Sequence, residues 1–572
     1  MPIKPTTYSA RQLCGIYDGL KAEKSTAENH HQEVNDFICP SFSDVTQINE
    51  TQGRKKGQNL YVGIGQYCIN RLAKAIHGSL TSTAAQWFNM RLANDELMDN
   101  HEIANWFADC SRVMFDYMIA SNFPNEIMKT YKALIGYGTA NLNTDSTIDP
   151  RTKLFDKLKY ETWSVREYVF AEGDDELPTM VMRLHRLTAD KALDKWQNHP
   201  RFKGLGATAQ GAADSAQRRY LEKHEYLEVF YERNQYEEKK GKQGRQWQHM
   251  PWGYAVVDYK DKKKIVEGGQ MEQSNAVPRW EKNADDNGWG RSPSMDALPT
   301  IKTMNDIREN GLKSLAKDLN PPLVITHRGV IGNLRTHAGG VIYKRKGAEL
   351  DKLDSGSRYD AAQMYMQELA EEVKQHYMID MIEMRPNDSG TLGEFQIRHE
   401  QMMRLLGPTY GRLTYDLFNP TLFRTFNILL RNGKFKPMPA ILQQIAGDPK
   451  YQDMIRLDVA YTGPLARSQR TDEINAIGQA YNDARIISES TGTMEAFDHL
   501  DIDESMKLSL ELRGVPTQVQ VSDEEIEEKR EARAQAQAQQ QQLMDRQQEA
   551  EVVDTEAEAG NKVVQLQRGG AQ

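Results

Sequence analysis

Apolar residues recur at helical spacing through the N-terminal region of the chain. The pattern starts at Leu13, Ile16 and Tyr17, continues in residues 66–80 and is repeated in residues 103–123. Such a stripe is usually the side of a helix that faces a core. The pattern therefore predicts several N-terminal helices packed on one another.

A different pattern follows, in which short apolar runs are separated by glycine and charged turns. Runs of this kind favour strands. The sequence predicts a β-rich module over about 153–267, with one helix inside it, and a long irregular connection over 268–296. The predicted elements are strands at Val165–Phe170, Tyr226–Tyr231 and Gly253–Tyr259 and a helix at Leu187–Trp196.

Two long helices then flank a small β-like piece. The first is predicted to start at Pro299, because proline is tolerated in a first turn, and to end before Pro321. The second is predicted over Tyr359–Ile382, with apolar residues every four positions from Ala361 to Tyr377, and would be about 36 Å long. A small β module between two long helices is unusual in a compact enzyme.

The C-terminal part again favours helices, with few strands. Gly407-Pro408 is predicted to kink a helix that starts near 391–394, because proline lacks a backbone donor. Asn419-Pro420 is predicted to end that helix. The further predicted elements are helices at Leu422–Leu430, Asp472–Glu489 and Thr493–Leu500 and a strand at Met454–Ala460.

Charge is unevenly distributed along the 572 residues. The formal net charge is −9, and the segment from Asp523 onward holds 12 acidic and 6 basic residues. The near-neutral body argues against a protein that coats nucleic acid through a basic surface. The tail is rich in Ala and Gln, so it is predicted to be either a solvated helix or one stabilised by neighbouring copies. Disorder is expected after Gly560.

The cysteines and the N-terminus bear on cellular location. All 4 cysteines precede residue 111, with no Cys-x-x-Cys pair, which predicts reduced structural thiols rather than a metal site or disulfides. The N-terminus lacks the apolar core of a signal peptide, and no window is long and apolar enough for a membrane span. We expect folding in a cytoplasm.

Motifs for enzymatic chemistry are weak. A Walker A sequence is missing, and Gly204-x-Gly206-x-x-Ala209 follows no apolar strand, so it is interpreted as a loop rather than a dinucleotide site. His30-His31 lacks a third ligand and is predicted to lie at the surface, and Lys260–Lys264 to form the solvated end of a hairpin. We predict no catalytic residue, no cofactor and no metal.

Several segments, in order, resemble one protein family. The most specific runs from Leu405-Leu406-Gly407-Pro408 through Arg412-Leu413 to Asp416-Leu417-Phe418-Asn419-Pro420. Supporting segments are Leu80-Thr81-Ser82 with Trp87-Phe88, Ser121-Asn122-Phe123, Tyr137-Gly138-Thr139-Ala140, Tyr461–Ala466 and Arg513–Pro516. Together they resemble the portal, or head-to-tail connector, proteins of short-tailed bacteriophages (podoviruses). Asp416 stands where that family more often has Glu.

The resemblance implies a fold and a division of the chain. The fold would be α+β and predominantly helical, an elongated subunit that assembles into a ring. The implied parts are a wing at 1–298, a stem helix at 299–319, a clip at 320–358, a second stem helix at 359–384, a tunnel loop at 385–393, a kinked long helix returning to the wing at 394–464, a crown at 465–519, a helical barrel or tail at 520–560 and disorder at 561–572.

The resemblance also implies candidate site residues. The loop between two long helices would face a DNA channel, where an acidic side chain discourages sticking and a basic one makes brief phosphate contacts. The tunnel-loop candidates are Arg385, Asp388, Ser389 and Gly390; the clip docking candidates are Arg335, Lys344, Arg345 and Lys346; the helix kink is at Gly407 and Pro408.

The implied function is that of a ring, typically of twelve subunits, at one capsid vertex of a virion assembled in the host bacterial cytoplasm. Double-stranded DNA would pass through it without sequence-specific binding, during packaging and again during ejection. The implied partners are further copies of the chain, the major capsid and scaffolding proteins, the large terminase, and tail adaptor and nozzle proteins, with no membrane. The alternatives are another virion protein, such as a tail adaptor or internal ejection protein, and a soluble enzyme of nucleic-acid metabolism.

Overall fold

The chain forms two compact units of mixed helix and strand. Unit 1 comprises Met1–Met90, Asp109–Pro437 and Leu457–Glu473, and unit 2 comprises Arg91–Ala108, Met438–Arg456 and Ile474–Gln572. The computed structural model describes residues 7–42, 44–46, 56–57, 60–98, 100–149, 151–152, 154–233, 247, 250–283, 288–319, 323–325, 330–331, 343–344, 346, 350–352, 359–382, 407–447, 456–462, 464–491, 497, 500–512, 525–526 and 528–542. Within these residues, no helix is long and apolar enough to cross a membrane.

Helices predominate. They are α1 (Ala10–Phe37), α2 (Ile64–Leu80), α3 (Asp95–Met98), α4 (His101–Ala120), α5 (Phe123–Tyr137), α6 (Ala189–Trp196), α7 (Ala207–Ala213), α8 (Ala216–Leu221), α9 (Pro293–Leu319), α10 (Tyr359–His376), α11 (Ile379–Ile382), α12 (Gly407–Leu413), a π-helical turn (Thr414–Phe418), α13 (Asn419–Arg431), α14 (Ala440–Gly447), α15 (Pro464–Thr491) and α16 (Ile502–Leu512).

The strands form small antiparallel sheets and one larger sheet. They are β1 (Phe88–Leu92), β2 (Leu142–Ile148), β3 (Phe155–Thr162), β4 (Tyr168–Glu172), β5 (Pro178–Thr188), β6 (Lys223–Glu232), β7 (Trp252–Asp258), β8 (Lys263–Gln270), β9 (Asn275–Ala276), β10 (Leu323–Ile325), β11 (Val330–Ile331), β12 (Tyr343–Lys344), β13 (Leu350–Lys352) and β14 (Leu457–Tyr461).

The larger sheet in unit 1 is a five-stranded meander, β4-β5-β6-β7-β8. Its β-favouring residues alternate between two cores, as a half-buried strand requires. Leu13, Cys14 and Tyr17 of α1 cover one face, and Trp196 of α6 and Ala209 of α7 lie on the other. Strands β4 to β7 lie within 153–267, where the sequence favours strands, whereas β8 extends past the predicted end of that module to Gln270. Lys260–Lys264 spans the β7–β8 turn as expected.

A three-stranded sheet, in the order β3-β2-β9, packs against α5. Asn122, just before α5, donates its side-chain amide to Tyr160 O at 2.6 Å and accepts Tyr160 N–H at 2.9 Å. Glu126 Oε2 accepts Thr162 N–H at 2.9 Å. Side chains at the start of α5 therefore occupy hydrogen-bonding groups on the outer edge of β3.

Helices α1, α2, α5, α9 and α10 pack together in unit 1. The apolar stripe of α2, including Ile69, Leu72 and Ile76, is buried, which confirms the core interpretation of the helical pattern. The four cysteines are buried thiols, as predicted.

Two predicted helix boundaries in this region are wrong. Helix α9 starts at Pro293, so Pro299 lies inside it, because the Ser292 hydroxyl accepts the Met295 N–H at 3.1 Å and caps the earlier start. Helix α10 ends at His376 rather than continuing to Ile382. Met378 has a left-handed backbone (φ 54°) that separates α10 from α11.

The predicted surface position of the histidine pair is wrong for His31. Its ring is buried between Tyr137, at 5.4 Å between ring centroids, and Trp289, at 5.6 Å. This burial lowers the pKa of His31 to about 3, so the ring is neutral at physiological pH. Periodicity marks α1 as a helix but does not show that this aromatic contact covers its polar side.

Short strands occupy the connection between α9 and α10. Strand β10 pairs with β13, and β11 pairs with β12, both antiparallel. They lie in the stretch where the sequence favours a small β piece.

Unit 2 contains α3, α14, α16 and parts of α4 and α15. Residues 528–542 are helical and exposed, and Arg530 pairs with Asp503 of α16 at 2.5–2.8 Å. Most of the predicted helix Thr493–Leu500, and the predicted disorder after Gly560, lie outside the described residues. In helix α16, Ile502, Met506 and Leu508 are exposed.

Candidate functional site

Helices α9 and α10 form an antiparallel pair, which we call the helix pair. Tyr377 OH donates to Ser294 Oγ at 2.8 Å, and farther along Thr300 Oγ1 donates to Glu372 Oε1 at 3.1 Å. Residue numbers therefore fall along α10 in the direction in which they rise along α9, so the two helices are antiparallel. The two chain ends that lead into 320–358 lie at the same end of the pair.

The other end of the helix pair is buried in unit 1. Ala297, Ile301 and Met304 of α9 are buried, and Asn305 Oδ1 accepts the Tyr61 N–H at 2.8 Å. Close packing with α2 depends on Gly65, where an added Cβ would lie 2.7 Å from Ile38 Cγ2 and 3.1 Å from Ile301 Cδ1. The base of the pair is therefore fixed to the body of the unit.

The half of the helix pair nearest 320–358 is exposed. After Asn305 in α9 and before Leu369 in α10, no side chain whose burial is described is buried. Large apolar side chains lie there: Leu312 (44% exposed), Leu315 (41%), Met364 (72%) and Tyr365 (49%). Apolar residues grouped on an exposed element are typical of surfaces that contact other chains.

The sequence-predicted clip and loop residues are only partly described. Lys344 lies in β12, and Lys346 is exposed in a turn. Arg335, Arg345, and the four tunnel-loop candidates Arg385, Asp388, Ser389 and Gly390 lie outside the described residues. The docking and tunnel-loop roles of these residues therefore stay predictions.

The Leu-Gly-Pro segment leads into one nearly continuous helix. Helix α12 is described from Gly407, so the kink predicted at Gly407 and Pro408 concerns a junction whose upstream side lies outside the described residues. The helix end predicted at Asn419-Pro420 is wrong, because α13 continues directly from the π-helical turn. In that turn Asn419 N–H donates to Thr414 O, a spacing of five residues rather than four.

A wider turn just before Pro420 has a local physical reason. Proline lacks the N–H that would bond the carbonyl of Asp416 in an α-helix, and its ring would clash with that carbonyl. The wider turn is therefore a local adaptation to the proline.

The π-helical turn brings a carboxylate into a buried group of charges, which we call the charge cluster. Asp416 is 3% exposed, and its Oδ2 lies 3.3 Å from Arg279 Nε and 3.6 Å from Arg412 Nε. Arg279, which is fully buried, also pairs with Glu172, and Arg412 pairs with Glu176. Charges from a β hairpin, an irregular connection and the motif helix thus meet in unit 1.

Lys282 completes the charge cluster and balances it. Its Nζ lies 2.9 Å from Glu172 and 3.5 Å from Glu176. Burial raises the pKa of Asp416 and lowers the pKa of Arg279, and the opposite charge of each partner acts against that effect. Because buried charges cost free energy unless they are paired, removal of one member should be more costly than removal of an exposed ion pair.

The helix that follows the charge cluster is firmly held. Leu422, Phe426 and Leu429 of α13 are buried. Tyr160 OH and Thr425 Oγ1 share a hydrogen bond of 2.9 Å, and Arg424 pairs with Glu272 at 2.9 Å. In α12, by contrast, only Leu413 is buried.

Other motif segments have structural roles in unit 1. Asn122 of Ser121-Asn122-Phe123 binds the outer edge of β3. Gly138 ends α5 with a left-handed backbone (φ 74°), and an added Cβ would overlap the backbone of Gly290. Only glycine suits both the conformation and the contact.

Sequence reasoning missed the partners of Asp416. Arg279 lies 137 positions from Asp416 and Glu172 lies 107 positions from Arg279. Both occur in segments without a motif. A charged residue within an otherwise irregular stretch gives no local signal of burial.

The exposed apolar half of the helix pair indicates a protein that assembles with other chains. In the part described, no group of three or more His, Cys, Asp and Glu is arranged to hold a metal ion. The fixed base and exposed end of the pair fit a structural component that presents a small module to partners.

Comparison with known families agrees with this class. The model of the bacteriophage head to tail connecting proteins matches residues 10–520, so the chain belongs to that family. It is 21% identical over 523 residues to the probable portal protein of Bordetella phage BPP-1, covering 90% of this chain and 89% of the relative. It is 22% identical over 542 residues to the portal protein of Salmonella phage epsilon15, covering 89% and 88%.

Proposed function

We propose that this chain is the portal subunit of a short-tailed phage. Copies of it form a ring, of about twelve subunits, at one capsid vertex, and double-stranded DNA passes through the ring during packaging and ejection. The similarity to two portal proteins along almost their whole length carries this proposal. The exposed apolar half of the helix pair supports the assembly, because those side chains require contact with another chain to leave water.

The parts of the subunit follow from this proposal. The helix pair is the stem, and 320–358 is the clip that meets the large terminase and later the tail adaptor and nozzle proteins. Residues 385–393 form the tunnel loop, 465–519 the crown, and 520–560 a barrel or tail. The scaffolding and major capsid proteins meet the wing.

The net charge supports passage rather than retention of DNA. Each phosphate contact adds affinity and salt dependence. A chain with a net charge of −9, repeated around a ring, disfavours the accumulation of such contacts. The proposal therefore requires no sequence-specific DNA site.

Negative-stain electron microscopy and mass photometry of the purified chain test the assembly. Met364→Ser with Tyr365→Ser should leave the monomer folded and shift the distribution from rings to monomers, because both side chains are exposed within one chain. Gln367→Ser, exposed on the same helix, is the control and should leave rings intact. A wild-type chain that remains monomeric at micromolar concentration would contradict the proposal.

Another virion protein, such as a tail adaptor, is the second candidate from the sequence. No observation on the described residues favours it over a portal subunit. The same images separate the two, since a portal ring forms from this chain alone.

A further inference from the structure

Asn141, immediately before β2, is fully buried, and its side chain has no hydrogen-bond partner among the described atoms. Neither Nδ2 nor Oδ1 is bonded, so both the N–H donors and the acceptor oxygen of the amide are unused. Buried side-chain amides in folded proteins nearly always have partners, because an unpaired buried polar group is unfavourable. The neighbours of this amide therefore decide what it can bind.

The position of Asn141 is fixed by the strands on both sides of β2. Trp163 N–H donates to Asn141 O at 3.1 Å, which continues the β2–β3 register by one residue. On the other side, Ala140 N–H donates to Pro278 O at 3.1 Å, and the β2–β9 register then places Val277 opposite Asn141. Opposite residues of antiparallel strands project from the same face of a sheet. The side chain of Asn141 therefore lies between an indole and an apolar valine.

The next residues along the strand on the same face are bonded elsewhere. Thr139 Oγ1 accepts the Gly290 N–H at 2.8 Å. Asn143 Nδ2 donates to Asn275 Oδ1 at 3.1 Å. Neither of these side chains bonds Asn141, and the valine opposite it has no polar group to offer.

The indole N–H of Trp163 is a second buried polar group at this position without a partner among the described atoms. Arg183 lies over the indole ring, 4.9 Å from its centroid, but donates its own N–H groups to Glu161 at 2.7 Å and to Glu167 at 2.9 Å. These charges therefore satisfy one another and leave the indole N–H unpaired. Two unpaired groups thus lie on opposite residues at one face of the sheet.

We propose that ordered water binds here and bridges Trp163 Nε1 to Asn141 Oδ1. The ligand must accept a hydrogen bond from the indole, which only donates, and must donate one to the amide oxygen. A metal cation cannot accept a hydrogen bond and a simple anion cannot donate one, whereas water does both. Buried waters typically bond polar groups that otherwise lack partners, and the Nδ2 group of Asn141 is a further donor in this site. This inference does not depend on the proposed function.

A structure of the full-length protein, by crystallography or electron microscopy, tests the site directly at a resolution that shows ordered waters elsewhere in unit 1. We expect a density peak about 2.7–3.2 Å from both Trp163 Nε1 and Asn141 Oδ1. Asn141→Leu, which is similar in size but apolar, should remove that peak. The absence of a peak in the wild type, or a direct hydrogen bond between the two side chains, would overturn the proposal.

A double-mutant cycle measured by urea denaturation gives an independent readout. Asn141→Leu removes the acceptor that holds the water and leaves the indole N–H unpaired, whereas in a Trp163→Phe background no such donor remains. We therefore expect the double variant to unfold with an equilibrium constant about tenfold smaller than the product of the two single effects predicts. In the control cycle Trp106→Phe, in unit 2, replaces Trp163→Phe, and its effect should be additive with that of Asn141→Leu.

Two results of the first cycle would overturn the hydration site. Additive effects of Asn141→Leu and Trp163→Phe would show that the two groups share no ligand. Greater stability of Asn141→Leu than of the wild type would show that the amide is buried dry, because the removal of unpaired polar groups is then favourable. If either variant fails to fold, the density in the wild type still decides the question.

Discussion

The contact between Gly65 and the base of the helix pair gives a sharp stability prediction. A Cβ at Gly65 would lie 2.7 Å from Ile38 Cγ2 and 3.1 Å from Ile301 Cδ1. Gly78 lies in the same helix and has no neighbour within 4 Å. Gly65→Ala and Gly78→Ala therefore make the same chemical change in two different surroundings.

The expected free energies follow from two opposing effects. Alanine is favoured over glycine in a helix by about 1 kcal/mol, which both variants gain. Overpacking of a close contact costs about 1–3 kcal/mol, which only Gly65→Ala incurs. We expect Gly78→Ala to raise the free energy of unfolding by up to about 1 kcal/mol, and Gly65→Ala to lie about 1–3 kcal/mol below it.

Urea denaturation of the two full-length variants, followed by far-ultraviolet circular dichroism, measures this difference. Hydrogen exchange should also rise near Ile301 in Gly65→Ala, because that side chain must move to admit the new methyl group. Equal stability of the two variants, or greater stability of Gly65→Ala, would refute the close contact and with it the fixed base of the helix pair.

Three further predictions concern pH, docking and the tail. His31 has a pKa of about 3 in the folded chain and about 6.5 in the unfolded chain, so below about pH 6.5 the unfolded chain binds the proton preferentially. Between about pH 6.5 and pH 5, the free energy of unfolding of the wild type should therefore fall by about 2 kcal/mol relative to that of His31→Phe, measured by denaturation at both pH values. Identical pH slopes would contradict the buried neutral ring. Replacement of Lys344, Arg345 and Lys346 by Ser should leave rings intact and weaken terminase or tail binding in a direct binding assay, and unaltered binding would remove the docking role. Truncation after Val521 should leave rings visible by electron microscopy but impair DNA retention or release, whereas loss of rings would make the tail an assembly element.

The spacing of apolar residues was sufficient to predict the helices and strands whose buried residues recur at a regular period. The four-residue spacing from Ala361 to Tyr377 predicts a helix with one apolar side. Leu369, Val373 and Tyr377 of that side are buried, whereas Tyr365 is exposed. Alternation and turn residues likewise indicate the strands around Tyr226–Tyr231. In such elements, sequence period and burial have the same physical cause.

Boundaries set by single contacts were not predictable in this way. The start of α9 depends on the Ser292 cap, and the end of α10 depends on the backbone of Met378. The π-helical turn depends on its neighbours in the chain and in space, because Pro420 disfavours an α-helix while Arg279 holds Asp416. Each of these requires knowledge of a neighbour or of a backbone angle that periodicity does not contain.

The charge cluster could not be predicted from the sequence for a related reason. Asp416 belongs to a segment that the family resemblance singled out, yet its partners Arg279 and Glu172 come from segments with no motif. Contacts between residues more than a hundred positions apart leave no spacing signal in a single sequence. The family was therefore easier to infer than the interactions that hold its motif.

The side-chain amide of Asn122 limits strand pairing between copies of the chain at high concentration. A bare outer strand is a template on which an identical strand from a neighbour can add, and a closed assembly raises the local concentration of such neighbours to the millimolar range. Because Asn122 occupies both the N–H and the C=O of Tyr160, and Glu126 occupies the N–H of Thr162, that part of β3 offers no place for another strand to begin. The side chains of Asn122 and Glu126 thus protect this edge of β3 against pairing with a strand of another copy, and so against aggregation.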